Sequence, residues 1–217
     1  GTTYVLIDTS PDLRTQLLDA NVGRLDGVIY THSHADHVHG IDDLRMIVIN
    51  MRERLPVWAD PVTRDALLYR FDYVFLQPPK SSYPPILDIN TIDGDVKIDG
   101  AGGPITFKPF EVNHGSIQAL GFRINDIAYL PDVATIPDNV WPKLENLECW
   151  IVDALRRNPH PTHSHLAQTL EWIERVQCKT AVLTNMHNDL DYETVKAETP
   201  NHIQPAYDGM TLTFKTA

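Results

Sequence analysis

The sequence has little cysteine and shows no zinc-type cysteine pairing. Only two cysteines occur among its 217 residues, Cys149 and Cys178, and neither lies in a Cys-x-x-Cys pair of the kind that binds zinc. Both fall in strand-like segments. They could pair, but we expect two reduced, buried thiols in a cytoplasmic protein.

Long apolar runs and positive charge are also lacking. No apolar stretch approaches the roughly 20 residues that cross a bilayer, and no secretory signal pattern is present, so no membrane partner is expected. The sequence opens inside an apolar segment, Tyr4 to Ile7, and we expect further chain upstream. Eighteen basic against 29 acidic residues give a formal charge of −11. That charge opposes binding of long nucleic acids but permits a small phosphorylated substrate.

The length suits one domain, and no internal repeat marks a second, so a single domain over residues 1–217 is predicted. Helices are predicted to start at Ser10-Pro11-Asp12 and at Asp60-Pro61, and to cover 137–146, 165–177 and 192–198. An irregular excursion is predicted from Gln77 to Pro85. Strands are predicted at 86–92, 95–98, 105–112, 117–124, 127–131, 149–153, 180–184 and 211–215. This pattern favours two sheets packed face to face and covered by helices, although an ordinary three-layer α/β fold would also fit.

The most informative segment is Thr31-His-Ser-His-Ala-Asp-His37, which follows the apolar run Val28-Ile29-Tyr30. Imidazole and carboxylate ligands together suit Zn²⁺ and similar cations. Alternate side chains of an extended segment point the same way, so His32 and His34 can grip one ion together. Asp36 and His37 must aim elsewhere, which suggests a second ion. The alternative is a polar loop with solvated histidines.

Further metal-competent side chains follow other apolar strands. His114 comes after the strand that ends near Val112, and Gly115 behind it would allow close backbone approach. Asp132 and His187 each follow another buried run. Taken singly, each of these residues would more often be a structural histidine or a turn-forming aspartate than a ligand.

With these residues together, the chain resembles the metallo-β-lactamase superfamily. The heptapeptide matches its His-x-His-x-Asp-His motif, the three later residues match its remaining ligand motifs in order, and Asp8 matches its first motif. The resemblance implies an α/β fold, the four-layer αββα sandwich with mixed sheets. It also implies two divalent metal ions, zinc in the first place and manganese as the alternative. One ion would be held by His32, His34 and His114, the other by Asp36, His37 and His187, with Asp132 bridging both and Asp8 orienting a ligand.

The flanking sequence narrows the expected chemistry. The segment from Gly40 to Arg45, Leu120 to Arg123 and the tail Tyr207 to Met210 look like the subfamily containing the cyclic-phosphate phosphodiesterase of bacterial phosphonate breakdown. Histidine at position 34, where flavodiiron oxidoreductases carry glutamate, favours hydrolysis over redox chemistry. We therefore predict hydrolysis of a small phosphodiester, with cyclic phosphodiesters included in the expected substrate class. Hydrolysis of a lactone, thioester or carboxyl ester is the alternative activity. A second alternative is a binding module that has the fold but no catalytic activity.

A second histidine cluster, His160-Pro-Thr-His163-Ser-His165, precedes the helix predicted at 165–177. A leaving alkoxide needs a proton, and histidine can supply one near neutral pH. His163 is the first candidate and His165 the second, and Asp36 could also orient or deprotonate the attacking water. The alternative is that Ser164 caps the helix and the histidines are surface groups.

Three roles are open for a group of four aromatic side chains, Phe71, Tyr73, Phe75 and Tyr83. They could line the pocket, form a homodimer contact or pack in the core.

Overall fold

The computed structural model describes residues 1–214. The chain divides into two compact units, Gly1–Thr106 and Phe107–Ala217, and the boundary falls near the start of a long strand. The single domain over residues 1–217 stays a prediction.

The first unit contains a parallel four-stranded sheet with helices between its strands. The sheet order is β1-β2-β3-β4, and every neighbouring pair is parallel. A short 3₁₀ helix, Ile41–Asp43, precedes α3. The strands and helices of this unit, in chain order, are β1 (Val5–Ile7), α1 (Leu13–Asp19), β2 (Gly27–Ile29), α2 (Ala35–Val38), α3 (Leu44–Met51), β3 (Leu55–Ala59), α4 (Pro61–Arg70), α5 (Asp72–Phe75), β4 (Leu87–Thr91) and β5 (Val96–Ile98).

The local sequence explains the helices and strands of this unit. In β3, alternate residues Leu55, Val57 and Ala59 are buried, as a strand with one face on a core requires. At the start of α4, Asp60 Oδ1 accepts the backbone N–H groups of residues 62 and 63, at 2.9 and 3.3 Å, and Pro61 occupies the first helical position. This cap confirms the predicted Asp60-Pro61 helix start.

The segment after β1 is fastened to α2. The N–H of Thr9 donates to the carbonyl of His37 at 2.7 Å, and the N–H of Gly40 donates to the carbonyl of Thr9 at 3.0 Å. A Cβ at Gly40 would overlap the carbonyl oxygen of Ser10. Only glycine therefore permits this close backbone approach.

The second unit contains a mixed sheet. Six strands of that sheet lie here, in the order β11-β10-β9-β8-β7-β6, and the pairs β6-β7 and β7-β8 are antiparallel while the others are parallel. A core around Trp150 and Leu130 packs against α6. The strands and helices are β6 (Ile105–His114), β7 (Ile117–Ile124), β8 (Ile127–Leu130), β9 (Cys149–Asp153), α6 (Leu166–Val176), β10 (Thr180–Thr184), α7 (Tyr192–Glu198) and β11 (Ile203–Pro205).

Two predicted elements of the second unit are wrong. Instead of a helix at 137–146 there is a 3₁₀ turn, Trp141–Leu144, because Pro142 has no N–H to donate and disfavours helical backbone at Trp141. The strand predicted at 211–215 does not form over residues 211–214, and residues 215–217 lie outside the described part of the chain. Ile203–Pro205 pairs with β10 instead.

The first predicted helix begins two residues late, at Leu13. Ser10 does not cap it, because its hydroxyl donates to Gln16 Oε1 at 2.7 Å and its carbonyl closes a turn with the N–H of Leu13. The irregular excursion from Gln77 to Pro85 is confirmed.

Other expectations have mixed outcomes. Cys149 and Cys178 are buried and unlinked, and burial raises the pKa of each thiol to about 11.

Of the aromatic group, Phe75 belongs to the core of the first unit, whereas Tyr73 and Tyr83 are exposed. Within the described part of the chain, no helix has the length and apolarity that a membrane span requires.

Candidate active site

In the first unit, the heptapeptide connects β2 to α2 and brings two histidines together. His32 is buried, His34 is exposed, and His32 Nε2 lies 3.1 Å from His34 Nδ1. The guanidinium of Arg70, at the end of α4, donates to the carbonyl of Ser33 between them. The extended backbone at His34 explains why the two side chains lie on one side.

Asp8 orients two of the heptapeptide histidines. Its Oδ1 accepts the N–H of Thr31 at 2.7 Å, and its Oδ2 accepts the hydroxyl of Thr31 at 2.7 Å and Nδ1–H of His37 at 2.8 Å. Since the Thr31 hydroxyl proton points to Asp8, its oxygen accepts Nδ1–H of His32 at 3.0 Å. These bonds put the proton on Nδ1 of both rings and leave both Nε2 atoms as metal-competent lone pairs.

Asp8 itself has an unusual environment. Its backbone is left-handed, with φ of 59°, a conformation that aspartate tolerates better than most residues. Burial raises the pKa of its carboxyl group, and the hydrogen bonds from His37 and Thr31 act against that rise.

Asp36 and His37 form a second pair in the same unit. Asp36 Oδ2 lies 3.4 Å from His37 Nε2, and its contact with the His37 ring lowers the pKa of Asp36 well below its usual range. Asp36 is therefore an anion, which suits a metal ligand better than a proton acceptor. Two atoms held about 2.0–2.1 Å from one tetrahedral ion stand about 3.3–3.4 Å apart. The spacing of this pair, and that of His32 with His34, fits shared coordination.

In the second unit, His114 ends β6 and faces Asp132. Its Nδ1–H donates to the carbonyl of Thr162 at 2.6 Å, and its Nε2 lies 3.3 Å from Asp132 Oδ2. Because the carbonyl can only accept, Nε2 is the lone-pair nitrogen and faces a carboxylate, an arrangement that a cation stabilises. Gly115 has φ of +69°, and a side chain there would overlap Thr162, which confirms its predicted close approach.

Asn185 positions Asp132, and the sequence reasoning missed it. Its side-chain N–H donates to Asp132 Oδ1 at 3.2 Å and its backbone is left-handed, with φ of 59°. It follows β10 directly, so its place after a buried strand was the signal that could have identified it.

His163 is held by a buried aspartate that the sequence reasoning also missed. His163 Nδ1–H donates to Asp153 Oδ2 at 3.0 Å, and its Nε2 lies 3.9 Å from Asp132 Oδ2. Asp153 Oδ2 also accepts the N–H of Val133 at 3.1 Å, whereas Oδ1 is buried without a hydrogen-bond partner. Burial raises the pKa of Asp153 to about 7, although the hydrogen bond from His163 opposes the rise.

His165 and His187 lie in different surroundings from His163. His165 is at the start of α6, where its Nδ1 meets Gln168 Oε1 at 3.2 Å. The side chain of His187 is 59% exposed, and its Nδ1 lies 3.5 Å from Asp189 Oδ1. Among the residues that the structure describes, His187 joins no group of three or more metal-competent side chains. Its role as a ligand stays a prediction.

Comparison with known proteins identifies the family. The model of the beta-lactamase superfamily domain matches residues 3–186. The chain belongs to the metallo-β-lactamase superfamily, which includes hydrolases. Within it, the chain is PhnP-like: a crystal structure described as a new diphosphatase from the PhnP family is 33% identical, with a TM-score of 0.87, over 97% of this chain and 80% of that one. The predicted family and fold, with two sheets and metal-competent histidines and aspartates, are confirmed.

Two further relatives are informative about the fold and about chain length. The metallo-β-lactamase fold protein YhfI from Bacillus subtilis has a TM-score of 0.75 at 17% identity, over 97% of this chain and 87% of that one, which shows the fold alone. A curated protein of Porphyromonas gingivalis named octanoyltransferase is 34% identical over 211 residues, 95% of this chain. This chain spans only 41% of that relative, about two fifths of its length.

Proposed function

We propose that the chain is a metal-dependent hydrolase of a small phosphodiester. The observation that carries the proposal is the position of His163, whose Nδ1 lies 3.0 Å from Oδ2 of buried Asp153 and whose Nε2 lies 3.9 Å from Asp132 Oδ2. The 33% identity to a PhnP-family diphosphatase supports a phosphorus-containing substrate.

The metal ligands are proposed on the family motif and on the local spacings. His32, His34 and His114 would hold one divalent ion, Asp36, His37 and His187 the other, and Asp132 would bridge them. Zinc is the first choice because the donor set is imidazole and carboxylate, and manganese is the alternative. Bound ions of this kind supply Lewis acidity and lower the pKa of a coordinated water.

The chain's own residues would supply the rest of the chemistry. His163 would give the proton on Nε2 to the leaving oxygen, while Asp153 keeps Nδ1–H engaged and stabilises the ring when it is charged. His165 is the weaker candidate, because its Nδ1 contacts Gln168 at the helix start instead of an acidic group. Asp36 would act as an anionic ligand that helps to orient water.

Two alternative substrates remain within the same chemistry. Hydrolysis of a diphosphate linkage is favoured by the description of the PhnP-family relative as a diphosphatase. Hydrolysis of a lactone, thioester or carboxyl ester would use the same metals. The octanoyl group in the name of the P. gingivalis relative favours it weakly, since that name describes a protein more than twice as long.

The substrate class is tested with metal-stripped protein to which Zn²⁺ or Mn²⁺ is returned. We expect hydrolysis of bis(p-nitrophenyl) phosphate, and little turnover of p-nitrophenyl acetate, an octanoyl thioester or a lactone. Turnover of the acyl compounds without any phosphodiesterase activity would overturn the proposal. Preference for a dinucleoside diphosphate over both classes would favour the diphosphate alternative.

The proton donor is tested by changing the leaving group. For His163→Ala we expect a loss of about 10²–10⁴-fold on a methyl phosphodiester, typical of a removed general acid, and a much smaller loss with p-nitrophenolate, which needs no proton. His165→Ala is the matched control from the same loop. Equal losses for the two leaving groups in His163→Ala would remove the proton-donor role.

A further inference from the structure

A cavity of about 420 Å³ in the second unit is not used by the chemistry above. Its wall consists of residues 183–186, at the end of β10, and residues 206–210, after β11. The volume is within the range of about 300–1,000 Å³ that small-molecule sites occupy. The wall residue Asn185 also donates to Asp132 Oδ1, so the cavity adjoins the proposed reaction centre.

The wall is held in place by hydrogen bonds and an aromatic contact. The N–H of Ala206 donates to the carbonyl of Leu183 at 2.8 Å, and the N–H of Met210 donates to the carbonyl of Tyr207 at 3.0 Å. Gly209 has φ of +84°, the value that the third position of a type II turn requires. The ring of Tyr207 meets Tyr192 edge-on, with 6.0 Å between centroids.

The chemistry of the wall selects against a phosphate group. None of its nine residues is lysine, arginine or histidine, and Asp208 adds a negative charge. Tyr207, Met186 and Met210 instead offer an aromatic ring and polarizable thioethers, which pack well against flat rings. Thr184 and Asn185 add groups that can hydrogen-bond with hydroxyl, amino or carbonyl substituents.

We propose that this cavity binds the uncharged organic group of the substrate, a flat ring with polar substituents such as a nucleoside. This inference rests on the proposed function, because it assigns the part of a phosphodiester that the metal ligands do not contact. Tyr207 and the two methionines are then specificity residues.

Binding can be measured without any metal or turnover. The chain has four methionines, of which Met186 and Met210 line the cavity while Met46 and Met51 lie in α3 of the first unit. Methyl-¹³C methionine labelling therefore gives two reporters and two internal controls, assigned by single Met→Leu variants. Thymidine added to metal-stripped protein should shift the Met186 and Met210 signals and leave the other two in place.

The role of Tyr207 is tested by paired variants. Tyr207→Ala should raise the dissociation constant of thymidine, measured from these shifts, about tenfold, because one base–aromatic stack changes affinity by that order. Tyr207→Phe keeps the ring and should restore the wild-type affinity. Tyr69→Ala, which removes a 90% exposed tyrosine from α4, is the matched control. In activity, the preference for thymidine 5′-(p-nitrophenyl phosphate) over methyl p-nitrophenyl phosphate should fall by the same factor in Tyr207→Ala only.

The two proposals fail in different ways. Thymidine-dependent shifts without hydrolysis of either ester would overturn the proposed function and keep the binding site. Hydrolysis of both esters at equal rates, with unchanged methionine signals up to millimolar thymidine, would overturn the site and keep the function. If Tyr207→Ala unfolds, Met210→Ala takes its place, with the melting temperature as the check on folding.

Discussion

Asp8 orients two side chains of the segment Thr31 to His37, which we call the ligand loop. It orients the ring of His32 through the Thr31 hydroxyl and the ring of His37 by a direct hydrogen bond. The family motif assigns these two histidines to different ions. Both rings therefore have the tautomer that coordination needs before any metal arrives, which reduces the cost of ordering them.

Asp8→Asn should weaken metal binding about 10–100-fold, the usual cost of losing such a partner. An amide N–H would replace an acceptor that takes Nδ1–H of His37, and the ring would have to move its proton to Nε2. Competition with a chromophoric chelator measures the loss. The exposed Asp19→Asn, in α1, is the control, and equal affinities for the two variants would contradict the orienting role.

Asp153 should make the metal-free protein less stable as the pH rises. The pKa of Asp153 is raised from 3.8 to about 7 in the folded protein, so the folded state holds the proton more tightly than the unfolded state. Its contribution is complete below about pH 4 and is lost between pH 4 and 7. Because other groups titrate there, the quantity to measure is the difference in unfolding free energy between the wild type and Asp153→Asn. We expect this difference to change by up to about 4 kcal/mol over that range, and a constant difference would contradict the raised pKa.

At the scale of secondary structure, the direction of the strands brings the candidate site residues of the second unit to one edge of the sheet. In the second unit, β8, β9 and β10 are parallel neighbours, and Asp132, Asp153 and Asn185 stand at or just beyond their carboxyl ends. β6 is antiparallel to β7, which is antiparallel to β8, so His114 ends at the same edge. Carboxyl ends of parallel strands converge at one edge of a sheet, where functional groups commonly collect.

Helix α4 supports the ligand loop through Arg70. The guanidinium donates to the Ser33 carbonyl, between His32 and His34, so we expect Arg70→Ala to lower metal affinity by about tenfold, at the low end for indirect partners. The unfolding free energy should change little, because the contact is exposed. Arg64→Ala, on the same helix but paired with Asp65, is the control. An affinity equal to that of the control would show that the loop holds its shape without Arg70.

The chain as a whole is strongly acidic, and we expect this charge to disfavour long polyanions as partners. At a net charge of −11, a long polyanion gains little from lysine and arginine contacts. We expect a 20-nucleotide RNA to bind more weakly than about 10⁻⁴ M at 0.15 M salt, measured by fluorescence anisotropy. Micromolar binding that weakens steeply with salt would contradict the small-substrate prediction.

Much of the fold could be predicted because the strands are short apolar runs that end in polar residues. Ile117–Ile124 and Tyr192–Glu198 match their predicted bounds, and the heptapeptide together with the later ligand motifs indicated the family. The prediction of a helix at 137–146 was wrong because it took no account of Pro142, which has no N–H for a hydrogen bond inside a helix. β11 was missed because three residues with a proline carry too little periodicity to be recognised.

The candidate site was predictable where residues cluster in the sequence and not where they act through another side chain. Asp153 and Asn185 each stand alone after a strand and belong to no spacing motif. Their importance arises from hydrogen bonds to His163 and Asp132, which only the folded chain brings within reach.

The hydrogen bonds of Asp8 also have a consequence for protein engineering. The seven residues Thr31 to His37 form a compact stretch that invites transplanting into another scaffold as a metal-binding loop. A transplant without the carboxylate at the end of β1 would carry the metal ligands but not the hydrogen-bond acceptor that selects their tautomers. The smallest transferable unit is therefore discontinuous: two adjacent parallel strands, with the aspartate after one and the histidines after the other.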